Sequence, residues 1–175
     1  SNAGSITIGQ SSTNTYTVPG RSNGSSVAGD LYGSSVRFLN NQLFVVGAPG
    51  HSYDYLGNTL TNKGAIYTYN LTTIVPTQEY IISNPYTTPT YNGFGTNIKR
   101  VDDTTFISGN TSNTISVMKR NLATSWNNIN TFLIPVNGKS DIFYDGTNLY
   151  VGNPTNTYIT STTSNLSYAL VANQG

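Results

Sequence analysis

The sequence predicts an all-β chain built from repeated four-stranded units. Three observations carry that prediction. Apolar residues come in bursts of about four to six, rich in Val, Ile, Tyr and Phe and bounded by Gly, Asn, Asp, Pro and Ser, which is how strands and their turns read. No apolar pattern at spacing i, i+3, i+4, i+7 persists for three turns, and 26 Thr and 23 Asn are poor material for helices. Glycine landmarks recur at fixed spacing.

The elements follow in order. Ser1-Asn2-Ala3 match what cleavage of a purification tag leaves and stand apart from the domain, residues 4–175. A partial first unit, residues 4–31, holds Ile6-Thr7-Ile8-Gly9 and Thr15-Tyr16-Thr17-Val18, which match Gly152 followed by Thr157-Tyr158-Ile159-Thr160. The second unit, 32–83, opens with Tyr32-Gly33 and predicts strands at Ser35–Leu39, Leu43–Val46, Ala65–Tyr69 and Thr77–Ile82. The third, 94–135, opens with Phe94-Gly95 and predicts strands near Ile98, at Phe106–Ser108 and Ile115–Met118, with a fourth at Asn130–Ile134 or beginning at Trp126, whose ring is read as packing. The fourth, 137–174, has Leu149–Val151 and Tyr168–Ala172. Gly33 and Gly47, Gly95 and Gly109, and Gly138 and Gly152 are each 14 residues apart, at offsets of 62 and then 43 between units. Asn40-Asn41, Asp102-Asp103 and Asp145-Gly146-Thr147-Asn148 supply the hairpin turns, where these residue types tolerate positive φ. Four strands in about 45 residues describes a propeller blade, with the second strand's glycine near a crowded axis.

The run Tyr32-Gly33-Ser34-Ser35-Val36, Leu43-Phe44-Val45-Val46-Gly47-Ala48-Pro49-Gly50 and Gly64-Ala65-Ile66-Tyr67-Thr68-Tyr69 resembles the FG-GAP repeat. That is the blade unit of the integrin α-subunit head and related extracellular β-propellers. The resemblance is strongest over residues 32–69; the next copy, 94–122, keeps Phe94-Gly95 but has Ser108-Gly109-Asn110 for the Gly-Ala-Pro, and 137–160 keeps only the glycines and Pro154. It implies a β-propeller of about three to four blades, or a fragment of a larger one, and an adhesion role on a cell or virion surface. Calcium-binding members carry a carboxylate-rich loop between the first two strands. Here the richest such turn offers Asp102 and Asp103 alone, too few oxygens for Ca²⁺, so neither metal nor cofactor is expected. A ring could close within the chain, or copies could associate to complete it and remove exposed strand edges.

Composition narrows the function. The 175 residues suit one domain, and 36% hydrophobic residues with 13 Tyr are too many for a disordered chain despite 68 Ser, Thr and Asn. Eight Lys+Arg against seven Asp+Glu leave a net charge of +1, which argues against nucleic acid, even with the Lys99-Arg100 and Lys119-Arg120 pairs. No apolar run reaches the roughly 20 residues of a membrane helix, so membrane insertion is not expected. Without cysteine there is no disulfide and no thiol nucleophile.

The candidate ligand-binding residues are His51, Tyr53, Asp54, Tyr55, Tyr86 and Tyr91. The first four lie in the connection 50–64, about ten residues longer than its counterparts. Tyr offers contact area and a hydroxyl at low entropic cost, so this is either a ligand-contacting loop or a solvated hairpin packing on its own unit. Tyr86 and Tyr91 flank Pro89 in a second aromatic loop, suited to stacking on a sugar or a protein, or to packing between units. His51 and Asp54 are residue types found in triads, but neither a G-x-S-x-G elbow nor H-E-x-x-H is present. Arg21, Arg37, Arg100 and Arg120 form no sialidase-like arginine motif, although Asp145-Gly146-Thr147 faintly resembles the Asp-box turn of those enzymes. The four N-x-[ST] sequons, at Asn23, Asn70, Asn110 and Asn165, are no more than the composition alone yields. The expectation is a non-enzymatic module that binds a protein or glycan through rim loops. The alternatives are a structural segment of a fibre or surface assembly and, behind it, a glycan hydrolase with paired carboxylates.

Overall fold

The computed structural model describes residues 5–9, 15–19, 29–72, 75–87, 92–110, 114–122, 125–133, 141–145, 148–152, 156–161 and 168–172. Every regular element among them is a strand. The order is β1 Ser5–Gly9, β2 Thr15–Pro19, β3 Ser35–Phe38, β4 Leu43–Ala48, β5 Tyr53–Tyr55, β6 Asn58–Leu60, β7 Ala65–Asn70 and β8 Thr77–Ser83. It continues with β9 Asn97–Arg100, β10 Thr105–Gly109, β11 Thr114–Leu122, β12 Ser125–Leu133, β13 Asp141–Tyr144, β14 Asn148–Gly152, β15 Asn156–Ser161 and β16 Tyr168–Ala172. Three antiparallel sheets have four strands each, ordered β3-β4-β7-β8, β9-β10-β11-β12 and β13-β14-β15-β16. Two further sheets, β1-β2 and β5-β6, have two strands.

The turns form where the sequence places them but not by positive φ: none of Asn40, Asn41, Asp102 or Asp103 adopts it, and side-chain acceptors close the turns instead. Asn40 Oδ1 accepts hydrogen bonds from the Gln42 and Leu43 amides, both at 2.9 Å. Asp102 Oδ1 takes the Thr104 amide at 2.7 Å, and Asp145 Oδ1 the Asn148 amide at 2.6 Å. A short side chain that replaces a strand's backbone acceptor reverses the chain cheaply.

Packing then uses the two-residue period of a strand. On one face of β3-β4-β7-β8, Leu43, Val45, Ile66 and Ile82 meet Phe94, Ile98, Phe106, Met118 and Trp126 of the next unit. On the other face Phe44, Val46, Ala48, Ala65, Tyr67 and Tyr69 meet Tyr32, Ile6 and Val18. Both faces are covered, so β4 is buried along its whole length, and its Leu-Phe-Val-Val run carries no polar alternation. Each fully buried residue of this kind contributes roughly 1.5–3 kcal/mol.

Polar contacts link neighbouring sheets. Ser35 Oγ donates to the Gly95 carbonyl at 2.8 Å, and Arg100 Nε donates to the Leu39 carbonyl at 2.6 Å. Arg120 of β11 pairs with Glu79 of β8 at 2.7 Å. Gly33 and Gly95 have φ of +90° and +93°, a region open to glycine at little cost.

The fourth strand of the 94–135 unit spans Ser125–Leu133 and so begins beside Trp126, the earlier of the two expected starts. Trp126 draws that earlier half against Phe106, with ring centroids 5.1 Å apart. Tyr91, Gly138, Pro154 and the sequons at Asn23 and Asn165 lie outside the described residues.

Candidate functional site: a pinned hairpin at one end of the β3-β4-β7-β8 sheet

The connection from β4 to β7 leaves the sheet, forms the β5-β6 hairpin and returns. Its departure is fixed by backbone contacts. Gly50 N donates to Asp30 O at 3.0 Å, His51 N to Ala48 O at 3.0 Å, and Gly64 N to His51 O at 2.9 Å. A Cβ on Gly50 would stand 1.8 Å from the Gly29 carbonyl oxygen, so only glycine lets the two segments meet.

The root of the hairpin is a buried polar cluster. His51 is 6% exposed and Asp30 3%. His51 Nδ1 lies 3.4 Å from Asp30 Oδ2 and 3.3 Å from the Tyr67 hydroxyl. Nδ1 is thus within hydrogen-bond reach of both oxygens, with the tautomer setting which partner donates. The Tyr67 ring meets the imidazole edge-on at 5.8 Å, and the Tyr53 ring lies nearly parallel to it at 6.3 Å. Tyr32 stands edge-on to Tyr67 at 5.2 Å and donates its hydroxyl to that of Tyr69 at 2.8 Å. Burial pushes the Tyr32 phenol well above its usual range, with the Tyr69 hydrogen bond adding to the rise. Burial also pushes Tyr69 up to about 12. Lys63, 3% exposed, is lowered by desolvation.

Above the root, Tyr53 donates its hydroxyl to the Asn84 carbonyl at 3.0 Å, and Asn84 Nδ2 reaches the Lys63 carbonyl at 2.8 Å. Burial raises the Tyr53 phenol as well. The Asn62 amide donates to Ser52 Oγ at 3.0 Å, and Thr59 Oγ1 donates across the hairpin to Asp54 Oδ1 at 2.7 Å. The tip, Leu56-Gly57, has φ of +49° and +80°, the two positive values that a tight two-residue turn between twisted strands requires. Leu56 is 84% exposed and Tyr55 46%. Leu31, next to the buried Asp30, is 53% exposed with φ of +53°. Among the described residues the non-glycine positions at positive φ are Leu31, Leu56 and Asn62, all in or beside this loop.

The candidates therefore divide. Asp54 and Tyr55 are exposed, Tyr53 is half-buried with its hydroxyl engaged, and His51 is buried beneath them as part of the root. The Asp30 and Tyr67 oxygens meet the same imidazole nitrogen, which suits a clamp between segments. Tyr86 is half-buried and bonded to the Thr131 hydroxyl of β12. Sequence reasoning missed Leu31 and Leu56. The signal for Leu56 was present: a Leu-Gly pair between Tyr-Asp-Tyr and Asn-Thr-Leu is a two-residue hairpin loop. Among the described residues no three His, Cys, Asp or Glu side chains gather as metal ligands, and no helix is long and apolar enough to cross a membrane. Compared with known proteins, the chain matches no family model and no curated protein.

Proposed function

We propose that the chain is a non-enzymatic recognition module that engages a partner protein through the β5-β6 tip, on an extracellular, cell or virion surface. The observation that carries this reading is Leu56, an aliphatic side chain 84% exposed and held at positive φ. An L-residue in that region costs about 1 kcal/mol or more, and such strain concentrates at ligand-contacting loops. Tyr55 adds contact area beside it, and the buried root lets the tip meet a partner with little further ordering. Leucine has neither a flat face for a sugar ring nor a hydrogen bond to give, so an apolar protein groove suits the tip better than a glycan.

The same proposal takes the sheets as blades of a β-propeller. Supporting it are the face-to-face stacking of neighbouring sheets and the close glycine approach between β4 and the entry to β9. An experimental structure with two flat layers in place of radial sheets would overturn that part.

Labelled wild-type and Leu56→Asn proteins, compared for binding to a panel of cell surfaces, test the binding reading. A wild-type signal lost in the variant, with Tm unchanged or raised, is the expected result. Equal binding by both, or none by either, overturns it. A second reading, a segment of a larger surface assembly, is favoured by one observation: β1-β2 has two strands where three other sheets have four.

A further inference from the structure

We infer that the open edge of β1 is an acceptor for a β-hairpin, supplied from outside the described residues, that completes β1-β2 to four strands. The inference does not depend on the hairpin tip; it gives the assembly reading a specific edge and a specific occupant.

The register shows which half of a sheet β1-β2 represents. Ile6 pairs with Val18 across β1-β2, and Ile66 pairs with Ile82 across β7-β8. Both pairs are buried against the unit that follows them. A Cβ built on Gly95 would meet Ala65 O at 2.8 Å and Ile66 Cγ1 at 3.2 Å; one built on Gly33 would meet Ser5 O at 3.4 Å and Ile6 Cγ2 at 3.2 Å. Ser5-Ile6 thus stand to Gly33 as Ala65-Ile66 stand to Gly95. β1 and β2 are the counterparts of β7 and β8, the third and fourth strands of a unit. The match of Gly9 with Gly152 suggested the second and third.

Among the described residues the counterparts of β3 and β4 are therefore the missing pair, and the surface they would cover is visible. Gly95 has the Gly47 Cα at 3.2 Å from its built Cβ, whereas Gly33 has no such neighbour among the described residues. Ile98 is 0% exposed, but Val36, at the same place in its own unit, is only half-buried. Thr68 is 0% exposed, but Ile8, its counterpart on β1, is half-buried. Gly33 is half-buried where Gly95 is buried. Three positions on β1 and the facing β3 segment are thus only half-buried, each buried where the neighbouring unit has all four strands.

The equivalence also dictates the occupant. In the complete sheet Val45 pairs with Thr68, Gly47 with Ile66 and Ala48 with Ala65. The docked strand must accordingly run antiparallel to β1, with an apolar residue opposite Ile8, glycine opposite Ile6 and a small residue opposite Ser5. Its companion strand would place a hydroxyl on the Gly33 carbonyl, as Ser35 does on Gly95. Every other described strand is engaged in a four-stranded sheet, apart from β5 and β6 with three residues each. Among its described residues a second copy therefore has no spare hairpin to lend. Strand addition of this kind takes its affinity from main-chain hydrogen bonds and its selectivity from alternate side chains.

The experiment fuses a copy of residues 35–48 ahead of the full chain through a flexible Gly/Ser linker. Amide exchange in Ser5–Gly9 is followed by mass spectrometry. We expect exchange there to slow by about tenfold or more, with Tm rising by several degrees. A second fusion carries valine in place of the glycine that copies Gly47; its side chain would strike Gly33, and protection should vanish. The free 35–48 peptide and its valine form, titrated against the unfused protein, keep the test independent of linker and fusion folding. Absence of protection in the fusion together with no binding of the peptide overturns the inference. So does equal protection by the glycine and valine forms. A protected edge in the unfused chain with doubled mass by light scattering overturns the stated occupant in favour of a second copy.

Discussion

A Cβ on Gly47 would stand 2.0 Å from the carbonyl oxygen of Gly95, where β4 meets the entry to β9. Gly95 itself has φ of +93°, and the Ser35 hydroxyl donates to the same carbonyl at 2.8 Å. Backbone thus lies directly on backbone at this joint between two sheets. Gly47→Ala should cost about 3 kcal/mol, because neither segment can retreat without breaking strand pairing. Gly57→Ala, at φ of +80° with nothing within 4 Å, should cost only about 1 kcal/mol from backbone strain. Urea melts of the two variants test the contrast.

Replacing Leu56 by Asn or Gly should stabilise the fold by about 0.5–1 kcal/mol, since both residues accept positive φ more readily. The side chain is 84% exposed, so little packing is lost. A rise in Tm accompanied by loss of binding would mean that the native residue is kept at a cost to stability. A fall in Tm would place Leu56 in the fold.

Alkaline pH should unfold the protein through its buried tyrosines. The folded-state phenol of Tyr69 is raised to about 12 and that of Tyr32 is raised further, both chiefly by burial. Above the unfolded value near 10 the unfolded chain releases these protons while the folded chain keeps them, so stability falls as pH climbs from about 10 towards 12. Tyr69→Phe should flatten that decline and lower stability at neutral pH by about 1 kcal/mol through loss of the 2.8 Å hydrogen bond from Tyr32. Equilibrium melts across pH 8–12 measure both effects.

The Arg120–Glu79 pair joins two sheets with side chains only 19% and 12% exposed. Glu79 also receives Asn70 Nδ2 at 2.7 Å, so the carboxylate is well satisfied. Arg120→Met should cost about 2 kcal/mol by leaving Glu79 partly buried without its cation, whereas Arg120→Met with Glu79→Leu should cost less than either change alone. A double-mutant cycle in urea separates the coupling.

Much of the fold was legible because strands and tight turns are local. Asn40, Asp102 and Asp145 lie in the turns the sequence marked, though they cap them with side-chain acceptors and without the positive φ expected there. Trp126 also marked the early start of β12, and Phe106, a residue twenty positions away, is what holds it there. The site was legible only in part. The long 50–64 loop and its tyrosines were visible in the sequence, but the exposure of Leu56 and the burial of His51 were not.

By itself, the amino-acid order determined where this chain runs straight and where it turns. Short apolar bursts at a two-residue period, broken by Asn, Asp and Gly, decide that through contacts a few residues long. Only the packed molecule decided which faces are covered twice, why His51 sits under a hairpin against Asp30, and that Ile6 and Val18 of β1 and β2 pack with Tyr32. Those outcomes depend on which neighbour lies over a given face, and residues far apart in the chain, such as Gly47 and Gly95, choose that neighbour by how closely their backbones can approach.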